Sequence, residues 1–253
     1  VMKQFQYSVF YCIFLFLFCF DVQAENKVWN DWVDSKSVIR NLKEAQRRSV
    51  CYFSQFHVYD VRGKDIYSSK FREQTGEVPY IYALDFYYAS GTYFNEDYIK
   101  KNKANIVEIV KKQWIKNKAI PSFSWHLENP YVPSEFGYMG CRYRYGHKTQ
   151  LYPEEHRYVI KEILTNSGDI CGFGSFKKNN DHKVSYKNPK IWFDERCKEV
   201  AEIINELVDE KGTPIPMIFR LWHECEDSWM WWGASSVSKE DYKSFFIMLR
   251  FLL

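Results

Sequence analysis

Strand-like and helix-like segments alternate along this chain, and that alternation restricts the available folds more than any other feature. Ser35 to Arg48 reads as a helix, Val50 to Tyr59 as a β-rich run, and Tyr80 to Tyr88, after Thr75-Gly76, as a second, aromatic strand. From Asp97 to Asn117, Ile106, Val107, Val110 and Trp114 recur at helical spacing, and Ile120 to His126 reads as a third strand. Tyr131 to Lys187 is polar and rich in Gly, Tyr and Asn, a long loop region with one short helix near Glu154–Leu164. Asn188-Pro189 opens another helix that carries Cys197, Val200, Ala201, Ile204 and Leu207 on one face and ends at Lys211-Gly212. Ile215 to Trp222 is a fourth strand, and Tyr242, Phe245, Phe246 and Leu249 mark a last helix.

Strands joined through helices run parallel, with right-handed crossovers, so the fold class is α/β. Open doubly wound sheets and closed barrels share this pattern. No GxGxxG or GxxxxGK follows any strand, which disfavours nucleotide-binding versions. The four strands are half of a barrel, and the sequence stops at Arg250-Phe-Leu-Leu253 inside an amphipathic helix, so a truncated (β/α)8 barrel holding about its first four strand–helix units is expected.

The N-terminus reads as an export leader. Lys3 supplies the positive charge, Val9 to Phe20 is a twelve-residue apolar run, and Val22-Gln23-Ala24 offers small residues for cleavage after Ala24. A membrane-spanning helix needs roughly 20 such residues. Residues 1–24 are therefore expected to be a signal peptide, with no membrane association after cleavage, and 25–253 the N-terminal part of a secreted catalytic domain. Cys12 and Cys19 leave with the leader. Cys51, Cys141, Cys171, Cys197 and Cys225 remain, an odd number whose pairing the sequence does not specify. No CxxC pair points to zinc. A net charge of only +3, with both signs mixed, gives no basic stripe for nucleic acid.

Parallel α/β folds place function at the C-terminal ends of strands. Three ends stand out: Leu84-Asp85; Ser124-Trp125-His126, followed by Asn129-Pro130; and Leu221-Trp222-His223-Glu224. Asp85 reads as structural. After Glu224 come Trp229, Met230, Trp231 and Trp232. Singly, a strand-end Glu is more often an ion-pair partner, a His a satisfied core residue, and a Trp core packing. As one ordered string they fit glycoside cleavage. A general acid must hold its proton near neutral pH, which apolar surroundings favour, and aromatic faces position sugar rings. Aromatic residues reach 19% of the chain, although composition alone does not separate sugar platforms from core.

The string His223-Glu-Cys-Glu-Asp-Ser-Trp229-Met-Trp-Trp-Gly233 resembles the signature of glycoside hydrolase family 26, which reads Arg-Pro-x-His-Glu-Met-Asn-Gly-x-Trp-Phe-Trp-Trp-Gly. Phe219-Arg220, Trp125-His126-x-x-Asn129-Pro130 and the Thr75-Gly76…Pro79…Asp85 stretch fit as well, so the likeness spans Val50 to Leu249. The resemblance implies a retaining (β/α)8 enzyme with its acid/base at the end of strand four and its nucleophile at the end of strand seven. It further implies Glu224 as acid/base, His223 as an orienting residue, Trp229 as a sugar platform and His126 as a hydrogen-bond partner of the sugar at the cleavage site. Trp231 and Trp232 are left as packing residues. Cys225 stands where the family has Met, Glu226-Asp227 where it has Asn-Gly, and Leu221 where it has Pro. The early Gly-Gln-His pattern is met only by Ser54-Gln55-Phe56-His57. Glu226 and Asp227 would raise the pKa of Glu224 by like-charge repulsion.

A retaining hydrolase needs a second carboxylate about 5–5.5 Å from the first, and none within this chain is assigned as nucleophile. The leading expectation is a secreted, monomeric endo-β-1,4-mannanase acting on a β-linked polysaccharide, without cofactor or metal. Other activities of the family, β-1,3-xylanase or mixed-linkage β-glucanase, and a non-catalytic carbohydrate-binding protein are the alternatives. A metalloprotease HExxH motif fails because Asp227 occupies the second His position.

Overall fold

The computed structural model describes residues 33–49, 54–55, 76, 79–91, 96–132, 141, 144–145, 149–150, 158–171, 186–226 and 230–252. The leader (1–24), Cys51, the Phe56-His57 pair and Trp229 lie outside them. The chain divides into two compact units, Val1–Tyr52 and Phe53–Leu253.

In the first unit, α1 spans Ser35–Arg47. It begins where the sequence predicts because Asp34 and Ser37 cap each other. Ser37 N donates to Asp34 Oδ1 at 2.7 Å, and Asp34 N donates to Ser37 Oγ at 3.0 Å. Two otherwise unpaired helix-end donors are thereby satisfied.

The second unit is built on a parallel sheet in the order β1-β2-β3-β6, from β1 (Ser54–Gln55), β2 (Ile81–Asp85), β3 (Ile120–Ser124) and β6 (Ile218–Phe219). Ile81 pairs with Ile120, and Phe123 with Phe219. Every residue of β2 and β3 is buried, as expected for parallel strands covered on both faces. The crossovers include α2 (Glu96–Asn117), α3 (Val159–Thr165) and α4 (Pro189–Glu206), and α5 (Lys239–Leu252) follows the sheet. A small antiparallel pair, β4 (Arg144–Tyr145) and β5 (Thr149–Gln150), lies within the segment read as loop.

Strand ends differ from the sequence reading for local reasons. The second strand stops at Asp85, not Tyr88. Asp85 Oδ1 accepts the Tyr87 amide at 2.9 Å and starts a 3-10 turn over Phe86–Ala89. The fourth strand is short. Its ladder runs Ile218–Phe219, Arg220 N still donates to Phe123 O at 2.7 Å, and the chain then turns at Trp222 with φ +50°. α4 ends at Glu206, before the predicted Lys211-Gly212. The Asp209 carboxylate accepts the Lys211 and Thr213 amides at 2.9 and 2.8 Å and gives that stretch a turn in place of helix. On α4 the inward face centres on Trp192, Phe193, Cys197, Val200 and Ile203. On α5, Phe245 and Leu249 are buried while Phe246 stays exposed.

The core accounts for much of the aromatic surplus. Trp125, Trp192, Trp222, Trp231 and Trp232 are all less than 2% exposed. Phe86, in the turn after β2, stacks on Phe123 of β3 at 4.2 Å. Trp222 stacks on Phe245 of α5 at 4.5 Å and tilts against Trp232 at 5.3 Å. Among the described cysteines, Cys171, Cys197 and Cys225 are free thiols, and Cys141 is buried.

Candidate active site

Because the sheet is parallel, the C-terminal ends of β2, β3 and β6 lie along one edge, and the candidate site is built there. Asp85 ends β2 with its carboxylate buried. Oδ1 accepts from the backbone of Tyr87 at 2.9 Å and of His126 at 3.2 Å. Oδ2 accepts from Ser124 Oγ at 2.9 Å and from Nδ1 of His126. Burial pushes its pKa up, but the His126 ring, its charge and the two amides outweigh burial, so the net shift is downward. Asp85, read as structural from the sequence, is thus the hub that joins two strand ends. The available signal was its position, a carboxylate closing a strand of otherwise apolar residues.

His126 follows β3 and is buried at 5% exposure. Its Nε2 lies 3.0 Å from Nε2 of His223, and the rings meet edge to face at 4.4 Å. Both ring nitrogens of His126 therefore have protein partners. His223 is half-buried, and its Nδ1 is buried with no hydrogen-bond partner among the described residues. Burial, then the neighbouring His126, lowers the His223 pKa. Asp85 and Glu224 oppose that shift, and Arg220 adds to it.

Glu224 adopts φ +58° and Trp222 φ +50°, so two left-handed residues flank His223. Such conformations cost about 1–3 kcal/mol each for residues other than Gly, and persist only where surrounding contacts impose them. Those contacts are visible. Trp232 Nε1 donates to His223 O at 2.9 Å, Tyr242 OH to Trp222 O at 3.1 Å, and the Ala234 amide to Cys225 O at 2.9 Å. Trp231 Nε1 donates to Leu127 O at 2.9 Å and ties this segment to the chain beyond β3. Trp231 and Trp232 therefore act as packing residues, and the ring nitrogens that brace the turn were not foreseen. The Glu224 side chain is exposed. Trp222, Met230, Trp231 and Trp232 are buried.

The loops carrying these residues are fixed to α4. The Gly91 amide donates to Glu199 Oε2 at 3.0 Å, Arg196 pairs with Glu199 Oε1 at 2.7 Å, and Trp125 Nε1 donates to Ser90 Oγ at 3.0 Å. Gly91 has φ +94°, and a Cβ there would meet the Glu128 carboxylate at 3.0 Å, so the close approach requires glycine. Among the described residues no cluster of three His, Cys, Asp or Glu could hold a metal ion, and no helix is long and apolar enough to cross a membrane.

The C-terminal strand ends of a parallel α/β sheet thus gather a buried carboxylate, an exposed one and two facing histidines. Glycosyl hydrolase family 26 matches residues 30–155 and 175–251, and the chain belongs to that family. It is 25% identical over 175 residues to a mannan endo-1,4-beta-mannosidase of Bacillus subtilis, covering 69% of this chain and 37% of that protein. It is 37% identical over 93 residues, 33% of this chain and 9% of the other, to a mannan endo-1,4-beta-mannosidase of Bifidobacterium adolescentis. Among solved structures, a β-mannanase of the same family from Bacteroides ovatus superposes with a TM-score of 0.59 at 23% identity, over 87% of this chain and 54% of that one. The likeness gives the fold, a (β/α)8 type to which the parallel strands and helices belong. The chain spans about half the length of that solved structure and well under half of the two curated relatives.

Proposed function

We propose that the complete protein is a retaining endo-β-1,4-mannanase, with Glu224 as general acid/base. The observation that carries this reading is the position of Glu224. It follows the β6 end in a strained, braced turn, directly after a histidine that reaches back to His126 and Asp85. Both curated relatives are mannan endo-1,4-beta-mannosidases, which supports β-mannan as the substrate class. In this reading His223 orients the acid, Trp229 offers a sugar platform, and no metal or cofactor takes part. The nucleophilic carboxylate lies outside residues 1–253, at the end of a later barrel strand. The leader at 1–24 exports the enzyme, which acts as a monomer.

The test is release of reducing ends from β-mannan by the complete protein and by its Glu224→Gln variant. Loss of the acid/base lowers kcat by about 10²–10⁴-fold. Undiminished activity in the variant would sink the assignment. Glu226 stands exposed beside Glu224, at the position where the family signature has Asn. This departure bears on subsite recognition, so the second reading is another family 26 activity, on β-1,3-xylan or mixed-linkage β-glucan. Faster cleavage of either polymer than of mannan would establish it, and binding without cleavage of any would mark a carbohydrate-binding protein.

A further inference from the structure

We propose that Glu199, a carboxylate on α4, is a positioning residue: through Gly91 and Ser90 it holds the Asp85–His126 pair in place at the strand ends. The inference rests on the family 26 reading for the reaction that it serves.

The link begins in the loop beyond β2. Ser90 is 2% exposed, and its hydroxyl bonds in two directions. It donates to Phe86 O at 2.9 Å and accepts from Trp125 Nε1 at 3.0 Å. Phe86 directly follows Asp85, and Trp125 directly precedes His126. Asp85 and His126 are themselves joined, through the His126 ring and through its backbone amide, 3.2 Å from Asp85 Oδ1. One hydroxyl therefore clamps a flank of each member of the pair.

The clamp is held from α4. The next amide, that of Gly91, donates to Glu199 Oε2 at 3.0 Å across 108 positions of sequence. The other oxygen, Oε1, accepts from Arg196 Nη2 at 2.7 Å, one turn earlier on the same helix. A carboxylate can accept at both oxygens at once, and both of these partners can only donate. Arg196 is itself 5% exposed, and its Nη2 also donates to Tyr186 OH at 3.2 Å, which limits the freedom of Glu199 to swing away. Hydrogen bonds to an ionised acceptor are roughly twice as strong as neutral ones. Glu128, two residues beyond His126, closes on the same turn. Its carboxylate lies 3.0 Å from where a Cβ on Gly91 would stand, and its charge acts on Arg196 together with that of Glu199. One ion pair on α4 thus meets the loops beyond both β2 and β3.

In the family 26 reading His126 meets the sugar at the cleavage site, and Asp85 holds its ring. A displacement of about 1 Å, caused by a change far from the chemistry, can cost about 100-fold in rate. The pair faces the reacting unit and not the outer units of the polymer, so the loss falls on kcat.

The experiment uses the complete protein on β-mannan with three variants. Glu199→Met keeps the side-chain length and removes both acceptor oxygens. Arg196→Met combined with Glu199→Met removes the guanidinium as well, and such an exchange of a buried ion pair for apolar groups is often neutral for stability. Glu202→Gln, one turn along α4, breaks an exposed pair with Lys103 at 3.3 Å and is the control. Amide hydrogen exchange at Gly91 should quicken by about tenfold or more in the first two variants and stay unchanged in the third. The ring ¹H–¹⁵N signals of His126 should shift in the same two, and their kcat should fall about 10- to 100-fold while KM stays within about threefold. Unchanged exchange at Gly91 overturns the link. Quickened exchange with wild-type kcat, or a loss carried wholly by KM, overturns the positioning role. Should Glu199→Met fail to fold, the double variant carries every readout. Should the wild type fail to cleave mannan, the mannanase reading falls, and exchange at Gly91 with the His126 ring signals decides whether Glu199 places the pair.

Discussion

Nε2 of His126 and Nε2 of His223 lie 3.0 Å apart, although 97 positions separate them in the sequence. The contact links the turn beyond β3 to the turn beyond β6. A neutral hydrogen bond of this kind contributes about 1 kcal/mol net. A double-mutant cycle with His126→Ala and His223→Ala, read by urea denaturation, should give a coupling energy of about 1 kcal/mol. Strict additivity would mean that the contact does not hold the two turns together.

The two buried titrations predict a specific loss of stability with acid. The folded pKa of His223 is lowered from its ordinary 6.5, so the unfolded chain takes up this proton first. Above pH 6.5 the group contributes no pH dependence. As pH falls below 6.5 the folded state loses stability relative to the unfolded one, until the folded pKa is passed. Asp85 acts lower. Its folded pKa lies below 3.8, so its contribution is complete above pH 3.8 and is lost as pH falls from there through the folded value. Thermal melts of the wild type should show both declines, and His223→Gln should lack the first.

Much of this architecture was legible in the sequence, because hydrophobic period and cap chemistry are local. The α1 start at Ser35, the α4 start at Asn188-Pro189 and the strand core of β2 and β3 fall where the pattern puts them. The misplaced ends, at Asp85 and Asp209, share one cause. A short carboxylate side chain captured backbone amides two to four residues ahead and stopped the element early. The string from His223 to Gly233 identified the family because its order is specific, whereas the contacts by which Asp85 joins two strand ends were hidden because its partners, Ser124 and His126, lie 39 and 41 residues away. Pattern reading does not see such distances. The aromatic residues show the same limit, since composition counted the Trp residues and only packing separated the core ones.

Trp232 is expected to act through its ring nitrogen as well as its bulk. Its Nε1–H donates to His223 O at 2.9 Å while the ring packs on Trp222 at 5.3 Å. Trp232→Phe retains most of the apolar volume and removes the donor, so stability should fall by about 1 kcal/mol and the turn that presents Glu224 should loosen. On mannan the expected signature is a lower kcat with little change in KM. A variant with wild-type kcat would show that the ring is filler only.

Trp222 predicts a larger effect. It is 1% exposed and contacts Trp125, Phe193, Trp231, Trp232 and Phe245. Trp222→Ala should cost about 3–5 kcal/mol, through lost apolar burial and the cavity left behind. Denaturant unfolding measures this directly, and a loss under about 1 kcal/mol would mean that the aromatic cluster repacks around the gap.

Glu224 itself should show function opposing stability. With φ +58° it occupies backbone space that glycine enters freely and that any side chain with a Cβ enters at a cost. Glu224→Gly and Glu224→Ala both remove the carboxyl and should be equally inactive on mannan. In stability they should part, with the glycine variant about 1 kcal/mol more stable than the alanine variant, because the left-handed strain is relieved in one and retained in the other. Had the turn no strain, alanine would be the more stable, since glycine gives the unfolded chain more freedom. The order of the two midpoints in urea therefore reports whether the protein holds its candidate acid in an unfavourable conformation that the Trp232, Tyr242 and Ala234 hydrogen bonds impose.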